Sequence, residues 1–244
     1  MFSHEKLQVY ANALDFVSAA VAWTNAWDRK HAVVDQLDRT APSILLNLAE
    51  AARRCGAPGR LQILDYATGS TLECAGCLDI ARIKNLLTEA QCREEKQRLC
   101  VVTKMVIGLR KAWAESVARK EPADYSAKPS TPETPFFHHE SLEVYRTALA
   151  FMDWFVSLTR TKELSNRLVR QVDEAGTSIV LNIAEGNGRY AELDHHRFAQ
   201  IAQSAAVNAA VLLDLCLEQG LLEREETDAG KDKLHRIAVM LGGF

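Results

Sequence analysis

The sequence contains no uninterrupted apolar run near the ~20 residues that a membrane-spanning helix needs. Met1-Phe2-Ser3-His4-Glu5 opens it without the basic-then-apolar order of a secretory signal. A cytoplasmic protein that stays out of membranes is therefore expected. No alternating strand pattern occurs, no glycine-rich phosphate loop follows a strand, and no nucleophile elbow is present. Phosphate-loop and serine-hydrolase chemistry have no residues to stand on. Cysteine is lopsided: positions 55, 74, 77, 92 and 100 lie in the first half and 216 alone in the second. That distribution excludes a disulfide scheme common to both halves and leaves reduced thiols as small core residues. Proline is nearly confined to one place, with four of six between 122 and 135. A strong charge of one sign is also missing, since the formal net charge of −3 argues against a basic nucleic-acid coat.

What is there is a repeat. Ser43-Ile44-Leu45-Leu46-Asn47-Leu48-Ala49-Glu50 is spelled again, at an offset of 135, as Ser178-Ile179-Val180-Leu181-Asn182-Ile183-Ala184-Glu185. Laid over 137–244 without a gap, residues 2–109 match at 31 of 108 positions, so one domain has been duplicated. The expected organisation is copy 1 over 1–120, a Pro-rich linker over 121–136 and copy 2 over 137–244. An extended linker of this kind reaches about 45 Å at ~3.1 Å per residue. That is enough for copy 2 to sit on a neighbouring position of an assembly rather than back on copy 1. Charge divides unevenly: residues 1–120 hold 17 basic against 13 acidic side chains, and 121–244 hold 12 against 19.

The apolar periodicity predicts four helices per copy, hence an all-α protein of two tandem up-down-up-down four-helix bundles joined by the linker. Helix 1 is expected to start behind Ser3 as N-cap, with Phe2 stapled onto Leu7. Its stripe Leu7, Tyr10, Leu14, Val17 and Val21 returns as Leu142, Tyr145, Leu149, Met152 and Val156. Phe16 and Trp23, and likewise Phe151, Trp154 and Phe155, widen the apolar arc past one face, which a helix needs when it is covered on two sides. These residues are the expected oligomer face. Helix 2, about 30–54 and 163–185, carries Pro42 opposite Thr177, so a kink or restart is expected in both copies. Helix 3 closes on Asn85 and Gly220, which take the left-handed C′ position readily. Its many Ala, Gly and Ser residues allow neighbouring axes to approach. Helix 4 opens on the capping box Thr88-x-x-Gln91 and runs to about Lys120.

Polar residues kept in both copies need a reason. Asn47 and Glu50 with Arg54, and Asn182 and Glu185 with Arg189, lie three and four apart on one helix face. They form either a structural hydrogen-bond cluster or an interaction surface, with each glutamate paired to the arginine four residues on. Other chemistry is thinner. Glu192-Leu193-Asp194-His195 spells half of a bundle di-metal motif, but no second Glu-x-x-His exists and its counterparts are Ala57 and Arg60. Cys74 and Cys77 fall inside a helix opposite Ala209 and Leu212, which points to apolar burial. No catalytic residue, metal or cofactor is expected, and the chain is not read as an enzyme.

Several motifs together resemble a known family. Leu142-Glu143-Val144-Tyr145-Arg146-Thr147-Ala148-Leu149 on helix 1, Ser178-Ile179 through Asn182-Ile183-Ala184-Glu185-Gly186-Asn187-Gly188-Arg189 on helix 2, Gly69-Ser70-x-x-Glu73 on helix 3, and Met105/Gly108 and Met240/Gly243 at the copy ends carry the resemblance. The family is the four-helix-bundle group named for the 23S ribosomal RNA intervening sequences, which also contains the accessory variability determinant proteins of diversity-generating retroelements. The copies depart from its pattern in opposite places. Copy 1 has Ala51-Ala52-Arg53 where Gly186-Asn187-Gly188 stand, and copy 2 has Ser204 and Asn208 where Gly69 and Glu73 stand. The resemblance implies bundles that assemble into rings and, for the retroelement members, binding of nucleic acid and a reverse transcriptase.

The functional expectation is a non-catalytic, homo-oligomeric adaptor or scaffold assembling through its helix 1 and helix 3 faces. The alternative is a nucleic-acid-binding accessory protein, with RNA or DNA and a reverse transcriptase as partners, or a part of an RNA-processing complex. Its candidate patch is Arg53, Arg54, Arg60, Lys104, Arg110, Lys111, Arg119 and Lys120.

Overall fold

The structure, a computed structural model, describes residues 3–54, 59–118, 135–162, 166–189 and 192–242. The described residues contain helices and turns and no strand. The first bundle is α1 (Gln8–Ala26), α2 (Ala32–Arg53), α3 (Arg60–Ile83) and α4 (Glu89–Ala118). The second is α5 (Glu143–Thr161), α6 (Asn166–Asn187), α7 (Glu192–Glu218) and α8 (Arg224–Gly242). Within each bundle every helix packs on its two neighbours in the ring of four.

The helix ends follow local chemistry. Asn85 (φ 58°) and Gly220 (φ 68°) take left-handed backbone, and the following N–H groups of Leu86 and Leu221 reach back to Ala81 and Cys216 carbonyls at 2.9 Å. At the start of α4 the Thr88 N–H donates to Gln91 Oε1 at 2.9 Å and the Gln91 N–H to Thr88 Oγ1 at 3.2 Å, a reciprocal capping box. The start of helix 1 differs from expectation. Ser3 precedes a 3-10 turn, His4–Lys6, and α1 begins only behind the extended Leu7. Copy 2 repeats this with a turn at His138–Ser141 and an extended Leu142. The proposed staple through Phe2 lies outside the described residues. α2 and α6 are each one unbroken helix through Pro42 and through Thr177, so no restart occurs. Proline removes one N–H donor from the ladder, and the rows of α1 and α3 packed along α2 hold the rest.

The wide apolar arc of helix 1 also resolves differently. Phe16 and Phe151 are completely buried and Phe155 nearly so, and Trp23 and Trp154 are half-buried against the same core. They face the two flanking helices of their own bundle, because a helix in a ring of four is covered on two sides without any second chain. Phe16, Phe151 and Phe155 are core residues and not an oligomer face, and Trp23 and Trp154 are packed against that core with part of each ring exposed.

The second bundle packs back on the first. α3 lies against α6, with α5 on α3 and α2 on α6 flanking that contact. α3 is consequently buried nearly all round, with 17 of its 24 residues inside. Its small residues make this fit possible. A Cβ on Gly76 would come within 3.0 Å of Leu181 Cδ2, and one on Gly188 within 2.7 Å of Leu72 Cδ1, so the two axes approach where side chains are missing.

Candidate docking surfaces

The α3–α6 junction is tied by charge as well as by packing. Lys84 at the end of α3 pairs with Asp173 of α6, both almost fully buried, and the other Asp173 oxygen accepts the Ala32 N–H at 2.9 Å. Asp79 of α3 accepts from Tyr145 Oη of α5 at 2.8 Å and from Lys96 Nζ of α4 at 2.9 Å, while Lys96 also meets Glu140 of copy 2 at 2.6 Å. His139 is sealed beside this group, stacked on Phe137 at 5.6 Å and edge-on to Tyr145 at 4.7 Å. Burial, with the Lys96 charge behind it, pushes its imidazole down to about 3, so it is neutral at physiological pH. Buried charges of this kind stay charged only when paired and hydrogen-bonded, and here the pairing crosses from one copy to the other.

All four members of this network have counterparts at the same offset: Glu5 for Glu140, Tyr10 for Tyr145, Asp214 for Asp79 and Lys231 for Lys96. Lys231 and Asp214 are already together at 2.7 Å, but at the surface, 39% and 50% exposed. Tyr10 is on α1, which touches neither of their helices, and its ring is tilted against His4 at 4.6 Å, as Tyr145 is edge-on to His139 at 4.7 Å. The apolar part of the junction has its open counterpart too. Leu72, Gly76 and Ile80 of α3 correspond to Val207, Val211 and Leu215 of α7, which are 54%, 54% and 44% exposed. Leu181 of α6, 3% exposed, corresponds to Leu46 of α2, 69% exposed. By length and hydropathy alone α7 is long and apolar enough to cross a membrane; a third of its most apolar 18-residue window is buried, and Val207, Val211 and Leu215 are among its exposed residues.

The kept helix-2 cluster lies on the edge of the same surfaces. Arg54 Nε meets Glu50 Oε1 at 2.5 Å and Arg53 meets it at 2.7 Å, all in copy 1 and open to solvent. The paired guanidinium groups, Arg53 first and then Arg54, hold the Glu50 carboxyl down at about 2. In copy 2 the Glu185–Arg189 pair is enclosed by the junction. The Arg189 guanidinium is layered between the rings of Tyr66 and Phe198, at 5.1 and 4.9 Å, and rests on Gly69, where a Cβ would stand 3.0 Å from its central carbon. Asn47 and Asn182 both donate to the serine one turn back, Ser43 and Ser178, at 3.1 Å, and Ser43 in turn meets Ser70 of α3. The two halves of the motif that each copy lacks are thus the halves that would face outward. Gly69-Ser70-x-x-Glu73 of copy 1 and Glu185-Gly186-x-Gly188-Arg189 of copy 2 survive where they meet.

Four members of the suggested basic patch are engaged within the protein. Arg53 and Arg54 are held by Glu50, Arg110 by Asp65 at 2.5 Å, and Arg60 donates to the Ala51 carbonyl while covering the Trp113 ring at 3.2 Å. Lys104 and Lys111 line a groove of about 660 Å³ between α1 and α4, with Leu7, Val9 and Met105. Arg119 and Lys120 lie outside the described residues. Cys74 and Cys77 are fully buried in α3, their thiols pushed well up by desolvation, which makes them inert. Among the described residues no group of three His, Cys, Asp or Glu side chains could hold a metal ion.

The charged network of Asp79, Lys96, Glu140 and Tyr145 was missed by sequence reasoning. Its signal was available, because all four residues are identical between the copies.

A protein-family model described as 23S rRNA-intervening sequence protein matches residues 5–108 and again residues 140–243. No curated protein and no solved structure matches the chain.

Proposed function

We propose that this chain, which belongs to the 23S rRNA-intervening sequence protein family through both of its copies, is a non-catalytic scaffold whose molecules dock head to tail. The α7 face of one molecule seats on the α2 face of the next and reuses the geometry that joins α3 to α6 inside the chain. One observation carries this reading. Tyr145 and Glu140 complete the Asp79–Lys96 pair across the internal junction, whereas the equivalent residue Tyr10 lies on α1, which touches neither α7, the helix of Asp214, nor α8, the helix of Lys231. Completed in the same way, with Tyr10 on the Asp214–Lys231 pair, the second network would join two chains. Burying Val207, Val211, Leu215 and Leu46 in the same contact removes an apolar stripe from water, each half-exposed side chain contributing about 1 kcal/mol, roughly half the value for a fully exposed one. Such a contact is heterologous, so it makes a closed ring if the rotation closes and a filament if it does not.

Light scattering on the purified protein tests it. A multimer is expected, and Val207→Glu with Val211→Glu should convert it to a 27.1 kDa species. A monomer of wild type at micromolar concentration overturns the reading.

The nucleic-acid accessory role, with a reverse transcriptase beside it, has less support from the side chains: Arg53, Arg54, Arg60 and Arg110 are engaged within the protein, leaving Lys104 and Lys111 among the described residues of the patch. It requires association with RNA or DNA that weakens steeply with salt. Fluorescence anisotropy with no association at ~50 mM salt removes it, since phosphate contacts are strong in that range.

A further inference from the structure

A cleft of about 340 Å³ lies between α3 and α4 of copy 1 and the residues of copy 2 that precede α5 and follow α6. Its wall is mainly apolar, from Leu72, Cys100, Ile107, Phe136 and Phe137. Two polar side chains in that wall are buried with hydrogen-bonding capacity unused. The Arg189 side chain is nine-tenths buried and pairs with Glu185 through Nη2, while its Nε and Nη1 donors meet no acceptor. Its guanidinium is held in place between the rings of Tyr66 and Phe198. The Thr103 hydroxyl of α4 is likewise buried without a partner. Buried donors without acceptors carry a desolvation cost that an incoming acceptor relieves.

The charges around the cleft agree in sign. Lys104, which also borders the α1–α4 groove, lines it as an exposed ammonium with no ion pair among the described residues. His138 Nδ1 and Asn187 Oδ1, also in the wall, meet each other at 3.2 Å. No Asp or Glu is among the lining residues. Arg189 borders a second cleft as well, but Glu73 and Glu185 line that one, and their carboxylates would repel an anion.

We propose that the cleft between α3, α4 and copy 2 binds a small organic carboxylate, its oxygens received by Arg189, Thr103 and Lys104 and its short apolar body lying against Leu72, Ile107 and Phe136. With Arg189 offset by Glu185, Lys104 supplies one unopposed positive charge, which a single carboxylate balances. A few convergent polar groups in an apolar wall are the make-up of a small-molecule site, and inorganic phosphate would leave that wall uncovered. The site is built from both copies and exists once per chain. At the offset of 135, Ala238 and Val239 stand for Thr103 and Lys104, so docking between molecules does not create a second one.

Isothermal titration of the full chain at pH 7 with phenylacetate as the probe tests this. Saturable binding at one site per chain is expected, and binding weaker by about tenfold or more for the neutral phenylacetamide and for inorganic phosphate, the loss of a charge-assisted contact or of the apolar one. Thr103→Val and Lys104→Met should each weaken phenylacetate by about fivefold, as for one hydrogen bond or ion pair. Lys111→Met, on the same helix but outside the cleft, should leave it unchanged. Arg189 is kept in these variants because its removal would strand Glu185. No saturable binding by the wild type, equal binding of phenylacetamide or phosphate, or unchanged binding in either cleft variant with its helical circular dichroism intact overturns the proposal. Assembly is read separately by light scattering, so neither outcome bears on docking between chains.

Discussion

The closed α3–α6 junction and the open α7 and α2 faces descend from the same surfaces, and they have drifted in different directions. In the closed junction Gly69, Gly76 and Gly188 remain, because each faces a side chain or backbone at a distance that leaves no room for a Cβ. On the open faces those positions are Ser204, Val211 and Arg53. Close packing was kept where a neighbour is covalently guaranteed, and where it is not, helix 3 gained branched apolar side chains. The charged network was kept in both. The difference suggests that the open faces meet at a wider spacing than the closed one, with Val211 against Leu46 where Gly76 lets Leu181 in.

The sharpest way to break that comparison is to remove the same lysine from each side. Lys96→Ala leaves Asp79 and Glu140 buried without a cation and should lower stability by about 3–5 kcal/mol in urea unfolding. Lys231→Ala, at the exposed counterpart, should cost about 0–1 kcal/mol in the dissociated chain. Equal losses would mean that the two networks are not distinguished by burial.

Next in size is the pH response of the junction. The folded state holds the Glu73 proton up to about pH 7, whereas the unfolded chain releases it near 4.5. Stability contributed at this site is therefore intact below pH 4.5, falls as pH rises towards 7 and levels off above it. Glu73→Gln should be nearly neutral at pH 5 and stabilising by up to roughly 3 kcal/mol at pH 8, the free energy of a shift of this size. A thermal unfolding series in which the variant tracks the wild type at every pH would refute the assignment.

Asn182→Ala should cost about 1 kcal/mol, the value of an ordinary hydrogen bond, because its amide ties to its own helix at Ser178 and strands no group on a neighbour. The smallest effect belongs to Val211→Ser, which should leave the dissociated chain within ±0.5 kcal/mol, as for most exposed sites. The same change should weaken assembly measured by sedimentation. If it destabilises the fold instead, α7 is covered within the chain.

Much of the architecture was legible in the residues. The offset of 135 required two copies, and the spacing of apolar residues required helices, as did Asn85, Gly220 and the Thr88–Gln91 box at their ends. The pairing of Glu50 with Arg54 and of Glu185 with Arg189 was readable for the same reason: neighbours on one helix turn are set by its geometry alone. The extra apolar width of Phe16, Phe151 and Phe155 was visible, but which helices covered it was not, since periodicity reports that a face is buried and never against what. Only tertiary structure decided that copy 2 lies back on copy 1, that Tyr145 reaches Asp79, and that Glu73 is mostly buried near Glu185. Those contacts join residues as far as 141 positions apart in sequence, and they follow from how closely two helix axes can approach. That distance is fixed by the small side chains of both helices together, so neither copy's sequence states it alone.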